Sequence, residues 1–169
     1  MTKRLPSNLR EAFYLDPASP SGLSKKTELE NLQPVGWLER HGYWRIKFKG
    51  QKYWAHRVCY YLHTGKDPYD LEIDHIDGNT QNNQPENLRA CSISLNQANQ
   101  KLSQRNTSGY KGVTWKATKN KWSAQISCSG RYFYLGLYDS ALDAAKAYDV
   151  AALEMFGNHA KTNGTLELF

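Results

Sequence analysis

Four polar residues near the middle of the chain constrain its fold and chemistry most strongly. Asp74 and His75 are adjacent, Asn87 follows after eleven intervening residues, and Asn96 follows after eight more. This spacing lets a short segment supply a hard oxygen ligand for a divalent cation beside an imidazole that can act as a base. The connection before Asn87 is rich in Gly, Asn, Gln, Thr and Pro, which predicts a loop.

The residues before this motif predict a hairpin and a helix. From Tyr43, apolar and basic side chains alternate with period two, and residues 49–51 supply a turn, so we expect a two-stranded hairpin with one cationic face. Residues 56–64 predict a short helix that ends at Gly65. Residues 1–34 mix charge with Pro and Ser, and we expect a poorly regular arm with one apolar docking point at residues 12–15.

The residues after the motif predict a second, smaller module. Ser92 to about Gln104 is expected to form a polar helix anchored by Ile93 and Leu95. Beyond a polar linker at residues 101–108, strand-like runs and a helix are predicted. The strands are placed at 110–117, 121–128 and 131–138, and the alanine-rich helix runs from a cap at Ser140 with Asp143 to Gly157.

The basic residues are concentrated in two windows. The chain has a formal net charge of +6, and residues 40–66 and 107–136 contain several Lys and Arg but no acidic residue. Aromatic residues are interleaved with these charges, which is typical of surfaces that bind a polyanion through its phosphates. Two ordinary solvated faces are the alternative interpretation.

Cysteine usage and hydropathy indicate the cellular compartment. Three widely spaced cysteines without a Cys-x-x-Cys pair indicate neither a disulfide framework nor a structural zinc site. No segment is apolar and long enough to span a bilayer, so no membrane partner is expected. We therefore expect a cytoplasmic protein.

The central motif resembles the phage and intron-encoded group of HNH, or ββα-metal, homing endonucleases. The resemblance rests on Asp-His-x11-Asn-x8-Asn, with Asp-Gly-Asn at residues 77–79 and Glu-Asn-Leu-Arg at residues 86–89, and covers about residues 36–104. Asn96 replaces the final His of the eponymous pattern, and Asp74 stands where many relatives have His. Oxygen ligands favour Mg²⁺ or Mn²⁺ over zinc, with one ion per active site.

The roles at this site follow from the residue chemistry and the resemblance together. Asp74 and Asn96 are the expected metal ligands, with Asn99, one helical turn on, as an alternative to Asn96. His75 and Asn87 are the expected catalytic residues, His75 as the base and Asn87 as a bridge that holds the loop. His56 is interpreted as a hydrogen-bonded structural group.

The C-terminal part resembles the plant ethylene-response-factor (Apetala-type) DNA-binding domain over about residues 107–163. The resemblance rests on the runs 107–113, 121–126, 134–139 and 144–152. It implies that the exposed face of the sheet enters the DNA major groove. By position that face comprises Lys111, Thr114, Lys116, Gln125, Ser127, Tyr132 and Tyr134. The opposite face, beneath the helix, comprises Trp122, Ala124, Ile126, Phe133 and Leu135.

Together these features predict an α+β protein: an N-terminal hairpin and ββα-metal HNH module, then a three-stranded antiparallel sheet packed on one α-helix. The expected divisions are an arm at 1–35, a nuclease domain at 36–104 and a DNA-binding domain at 105–169. The predicted function is metal-dependent cleavage of double-stranded DNA by a monomer, as a nick or a double-strand cut. A general nicking nuclease and a non-catalytic DNA-binding regulator with a relic HNH fold are the alternatives. In the first module, the expected DNA contacts are Arg45, Lys47, Lys49, Lys52 and Arg89.

Overall fold

The computed structural model describes residues 4–169, which form two compact units. The architecture is α+β with antiparallel sheets in both units, as the sequence predicts. The division along the chain falls between Cys91 and Ser92, whereas the sequence analysis placed it between residues 104 and 105. The reason is that the helix following Ser92 packs within the second unit.

The N-terminal segment is folded, so the expectation of a poorly regular arm is wrong. Helix α1 (Leu9–Ala12) precedes an antiparallel sheet of β1 (Tyr14–Leu15), β2 (Leu23–Lys26) and β3 (Leu32–Pro34). Leu9, Phe13 and Leu23 are almost fully buried in the core of the first unit. The turn before β2 is closed by backbone and side-chain hydrogen bonds. These bonds hold a segment whose sequence has no regular strand or helix pattern.

The predicted hairpin is present and gains a third strand. Strands β4 (Trp37–Leu38), β5 (Trp44–Phe48) and β6 (Gln51–Trp54) form an antiparallel sheet. Helix α2 (Ala55–Thr64) follows directly and ends at Gly65, whose φ of 78° is the left-handed conformation expected there. Apolar residues of this sheet and helix, including Ile46 and Val58, complete the core.

A two-stranded sheet carries the central motif. Strand β7 (Glu72–His75) pairs antiparallel with β8 (Leu88–Cys91), and the intervening loop ends in a 3-10 turn at Pro85–Asn87. Asp74 lies opposite Arg89, and His75 lies opposite Leu88. Burial of Ile73 and Leu88 anchors the two strands in the core of the first unit.

The second unit begins with α3 (Ile93–Ala98), capped by the Ser92 hydroxyl, which accepts a hydrogen bond from Leu95. This helix is shorter than predicted. Ile93 is 61% exposed and is no anchor, whereas Leu95 and Ala98 pack with Ile126 in the core of this unit.

The C-terminal module follows the sequence prediction closely. Strands β9 (Val113–Lys116), β10 (Lys121–Cys128) and β11 (Arg131–Tyr138) form a sheet in the order β11, β10, β9, and α4 (Ala141–Phe156) packs against it. Small side chains such as Ala144 and Ala145 are fully buried there, which lets the helix approach the sheet closely. Phe133 is 40% exposed, contrary to its expected place in the core, because β11 is an edge strand.

The three cysteines are free. Burial raises the pKa of the Cys59 thiol to about 12 and that of Cys91 to about 11. Across residues 4–169, no helix has both the length and the apolar character needed to cross a bilayer.

Candidate active site and nucleic-acid interface

Asp74 and His75 occupy the end of β7 and are both buried, with 3% and 5% of their surface exposed. The Asp74 carboxylate accepts hydrogen bonds from Nε and Nη2 of Arg89, each at 2.8 Å from Oδ2. Arg89 was expected to contact DNA. In the structure it compensates the charge of Asp74, because antiparallel pairing places the two residues opposite each other.

The Asn87 amide closes the loop that follows His75. Its Oδ1 accepts a hydrogen bond from the Asp77 backbone at 3.0 Å, and its Nδ2 donates to Asp77 Oδ1 at 3.0 Å and to the Asn82 carbonyl at 2.8 Å. Asp77 also accepts from the Asn79 backbone and the Asn82 side chain. Burial alone would raise the pKa of Asp77, but these hydrogen bonds outweigh it and the pKa is lowered. A bridging position is what the sequence analysis expected of Asn87; its role in catalysis stays a prediction.

A second asparagine contacts His75 directly. Nε2 of His75 lies 3.0 Å from Oδ1 of Asn83, and Nδ2 of Asn83 donates to the Ser21 carbonyl at 3.0 Å. Asn83 is 3% exposed and Ser21 is fully buried. The imidazole is therefore held by a chain of buried polar groups that begins in the N-terminal segment.

Two further rings lie close to the His75 imidazole. The His56 ring lies edge-on to it with centroids 5.3 Å apart, and the Tyr43 ring centroid lies 6.1 Å from His75. His56 Nδ1 is buried without a hydrogen-bond partner, so the expectation of a hydrogen-bonded structural group is wrong for this atom. Burial, with a smaller contribution from His75, lowers the pKa of His56 to about 3, and His56 is neutral at physiological pH.

The chemistry of the available ligands fits a hard cation held by few protein groups. Within residues 4–169, no cluster of three or more His, Cys, Asp or Glu side chains could hold a metal. Asp74 supplies one carboxylate in the first unit, and Asn96 and Asn99 lie on or beside α3 in the second unit, Asn96 half-buried and Asn99 buried. Carboxylate and amide oxygens are ligand types that suit Mg²⁺ or Mn²⁺. The metal roles of Asp74 and of either asparagine stay predictions.

The β5–β6 hairpin presents a cationic surface. Lys47, Lys49 and Lys52 are exposed, and Lys47 lies directly opposite Lys52 across the two strands. Arg45 differs from them. Its guanidinium carbon lies 3.6 Å from the centre of the Trp54 ring, its Nε is buried, and Glu39 is 3.7 Å away. Arg45 is thus engaged within the unit, because an arginine on the half-buried face stacks on the neighbouring strand.

The sheet of the second unit has one polar exposed face. Most residues predicted to read DNA are exposed there, with Tyr132 at 79% and Tyr134 at 65%. Cross-strand pairing places Gln125 opposite Tyr134 and Ser127 opposite Tyr132. The set that shares this exposure is Thr114, Lys116, Gln125, Ser127, Tyr132 and Tyr134.

Lys111 departs from this set. Its ammonium donates to the carbonyls of Ala98, Gln100 and Lys161 at 2.7 to 3.0 Å. Burial, the largest effect, lowers its pKa to about 8, although Asp149 opposes the change. Lys111 thereby ties the end of α3 to the C-terminal segment instead of projecting from the sheet face.

Known families match both parts of the chain. A model of the HNH endonuclease family matches residues 53–98, and a model of the AP2 domain matches residues 108–158. The chain joins an HNH-type domain to an AP2 domain. The HNH-type match extends past Cys91 to the end of α3, which packs in the unit that contains the AP2 domain.

Individual proteins are also similar to parts of this chain. An uncharacterised HNH endonuclease of Acanthamoeba polyphaga mimivirus is 33% identical over 128 residues, which cover 75% of this chain and 65% of that protein. Protein 3.8 of Escherichia phage T7 is 37% identical over 67 residues, 40% of this chain and 55% of that protein. An ethylene-responsive transcription factor of Arabidopsis thaliana is 31% identical over 114 residues, 66% of this chain and 24% of that protein. The chain thus spans less than two thirds of each of these relatives.

Sequence reasoning missed three polar residues around the HNH-type motif. Asp77 organises the loop, Asn83 contacts His75, and Ser21 supports Asn83 from far away in the sequence. The Asp-Gly-Asn signature gives a local signal for Asp77. No sequence pattern distinguishes Asn83 from its polar neighbours, because only its burial in the folded unit does so.

Proposed function

We propose that this chain is a metal-dependent endonuclease of the HNH homing type that hydrolyses phosphodiester bonds in double-stranded DNA, with its AP2 domain contributing DNA recognition. The observation that carries the proposal is that buried Asp74 and His75 are adjacent on β7. The Asn87 amide forms hydrogen bonds with Asp77 in the loop immediately after them. The HNH and AP2 family matches support the same assignment.

The protein groups divide the chemistry between them. His75 takes a proton from the attacking water, and Asn87 keeps the backbone beside His75 in place. Asp74, with Asn96 or Asn99, would hold a single Mg²⁺ or Mn²⁺, and the ion would supply positive charge for the phosphate and for the leaving 3′ oxygen. The products are a 5′ phosphate and a 3′ hydroxyl.

The exposed cationic and polar surfaces supply binding. Lys47, Lys49 and Lys52 offer phosphate contacts, which fix position without reading sequence. The AP2 face carries few guanidinium groups, so we propose phosphate anchoring with modest sequence preference. A monomer with one site nicks one strand, and cutting both requires rebinding or a dimer.

The test is incubation of the purified protein with supercoiled plasmid and Mg²⁺ or Mn²⁺, with EDTA as the metal-free control. The expected product is open-circular or linear DNA from the parent protein only when metal is present, and none from Asp74→Ala. DNA binding with intact plasmid under all metal conditions would contradict the proposal. That outcome would favour the alternative, a DNA-binding regulator with a relic HNH fold.

A further inference from the structure

The orientation of the Asn83 amide is determined by its two partners. The Ser21 carbonyl can only accept a hydrogen bond, so the atom of Asn83 that faces it at 3.0 Å must be the nitrogen. The amide oxygen then faces Nε2 of His75, also at 3.0 Å. An amide oxygen cannot donate, and Nε2 therefore carries a hydrogen atom.

The tautomer of a neutral imidazole follows from that hydrogen. With hydrogen on Nε2, the lone pair resides on Nδ1, which becomes the basic nitrogen. All three groups are buried, and water competes little for these bonds.

Contacts of Ser21 and Gly22 fix the position of the carbonyl that binds Asn83. The Ser21 hydroxyl donates to the Val35 carbonyl, and Cys59 Sγ lies 3.7 Å from the Ser21 carbonyl. Gly22 follows with a φ of 78°, and a Cβ built there would lie 3.1 Å from Asn83 Cβ and 3.1 Å from Cys59 Sγ. A side chain at this position would crowd both atoms and strain the backbone, so glycine suits this close approach.

We propose that Asn83 is a positioning residue that fixes His75 as the Nε2–H tautomer and so makes Nδ1 the atom that takes the proton from water. The Ser21 carbonyl makes the N-terminal segment part of this arrangement. The catalytic half of this inference rests on the proposed nuclease function, whereas the tautomer itself does not.

The tautomer is measured by two-bond ¹H–¹⁵N correlation NMR on the full chain with ¹⁵N-labelled histidine, at about pH 8, where an ordinary imidazole is neutral. The His75 signals are assigned as those that are missing from the spectrum of His75→Gln. The expected wild-type spectrum shows hydrogen on Nε2. Hydrogen on Nδ1 would overturn the proposal, even if every Asn83 variant failed to fold.

Three variants connect the tautomer to cleavage. Asn83→Leu removes the acceptor and is expected to give mixed tautomers and about a 10- to 100-fold lower kcat, with KM for plasmid unchanged. Asn83→Asp keeps an acceptor for Nε2–H but cannot donate to Ser21, so it should keep the tautomer and lose less activity. Gln84→Met is the matched control, because Gln84 also donates to an N-terminal carbonyl, that of Pro17, without contacting His75.

The outcomes separate this inference from the proposed function. Wild-type kcat in Asn83→Leu, or equal losses in Asn83→Leu and Gln84→Met, would overturn the positioning role. If the wild-type chain cleaves no DNA with Mg²⁺ or Mn²⁺, the nuclease proposal fails, while the spectrum still decides the tautomer.

Discussion

The candidate active site and the AP2 sheet face use polar residues in opposite ways. Around His75, the polar side chains are buried and bonded to one another, so their geometry is set before any ligand arrives. On the sheet face, Gln125, Tyr132 and Tyr134 are exposed to solvent. Catalysis requires reacting groups that are already oriented, whereas binding of a long polymer tolerates side chains that change rotamer when they contact it.

The largest expected effect is the loss of DNA cleavage when His75, in the buried candidate active site, is replaced. His75→Ala should lower plasmid cleavage by about 10²- to 10⁴-fold, because a general base contributes that much, while DNA affinity stays within about twofold. Cleavage time courses and a binding titration measure the two quantities. His63→Ala, at an exposed histidine of α2, is the control. Parallel losses of affinity and cleavage in His75→Ala would place His75 among the binding residues instead.

The Asp74–Arg89 pair gives the next effect. Arg89→Gln leaves a buried carboxylate without its cation and should lower the free energy of unfolding of the metal-free protein by about 3 kcal/mol. Because Mg²⁺ would then relieve that charge, the ion should raise Tm more in the variant than in the parent. Thermal unfolding with EDTA and with Mg²⁺ checks both statements. An equal Mg²⁺ shift in the two proteins would argue against Asp74 as a metal ligand.

Acid stability tests the neutral state of His56. Its pKa is about 3 in the folded chain and about 6.5 when unfolded, so between these values the unfolded state binds the extra proton. This residue therefore has no effect above pH 6.5, and the free energy of unfolding falls by up to about 1.4 kcal/mol per pH unit as the pH drops below it. Urea unfolding at several pH values should show a shallower dependence in His56→Leu. The same slope in both proteins would show that His56 does not resist protonation.

The smallest effect separates two lysines of the AP2 domain. Lys116→Gln should weaken DNA binding modestly and reduce the slope of log affinity against log salt by about 0.9, as one phosphate contact does. Lys111→Gln should leave that slope unchanged and instead destabilise the unit, since Lys111 bonds three carbonyls. Salt titrations of both variants measure the difference. A reduced slope for Lys111→Gln would restore its predicted place on the DNA-binding face.

Local patterns predict much of this fold. Alternation and turns define β10 and β11 at their observed bounds, and Gly65 correctly ends α2. The N-terminal sheet is missed because side-chain hydrogen bonds and distant apolar contacts, such as those of Phe13, hold it together. The internal partners of Arg89 and Lys111 are missed for a related reason: charge predicts solvent or phosphate contact, but strand pairing and burial depend on the folded chain.

The hairpin with Lys47 opposite Lys52 has a consequence for folding in dilute buffer. Like charges at paired positions of adjacent strands repel, and counterions or a nucleic-acid backbone reduce that repulsion. At low salt and without DNA, we therefore expect the β5–β6 hairpin to be less stable, and a bound polyanion to raise its stability.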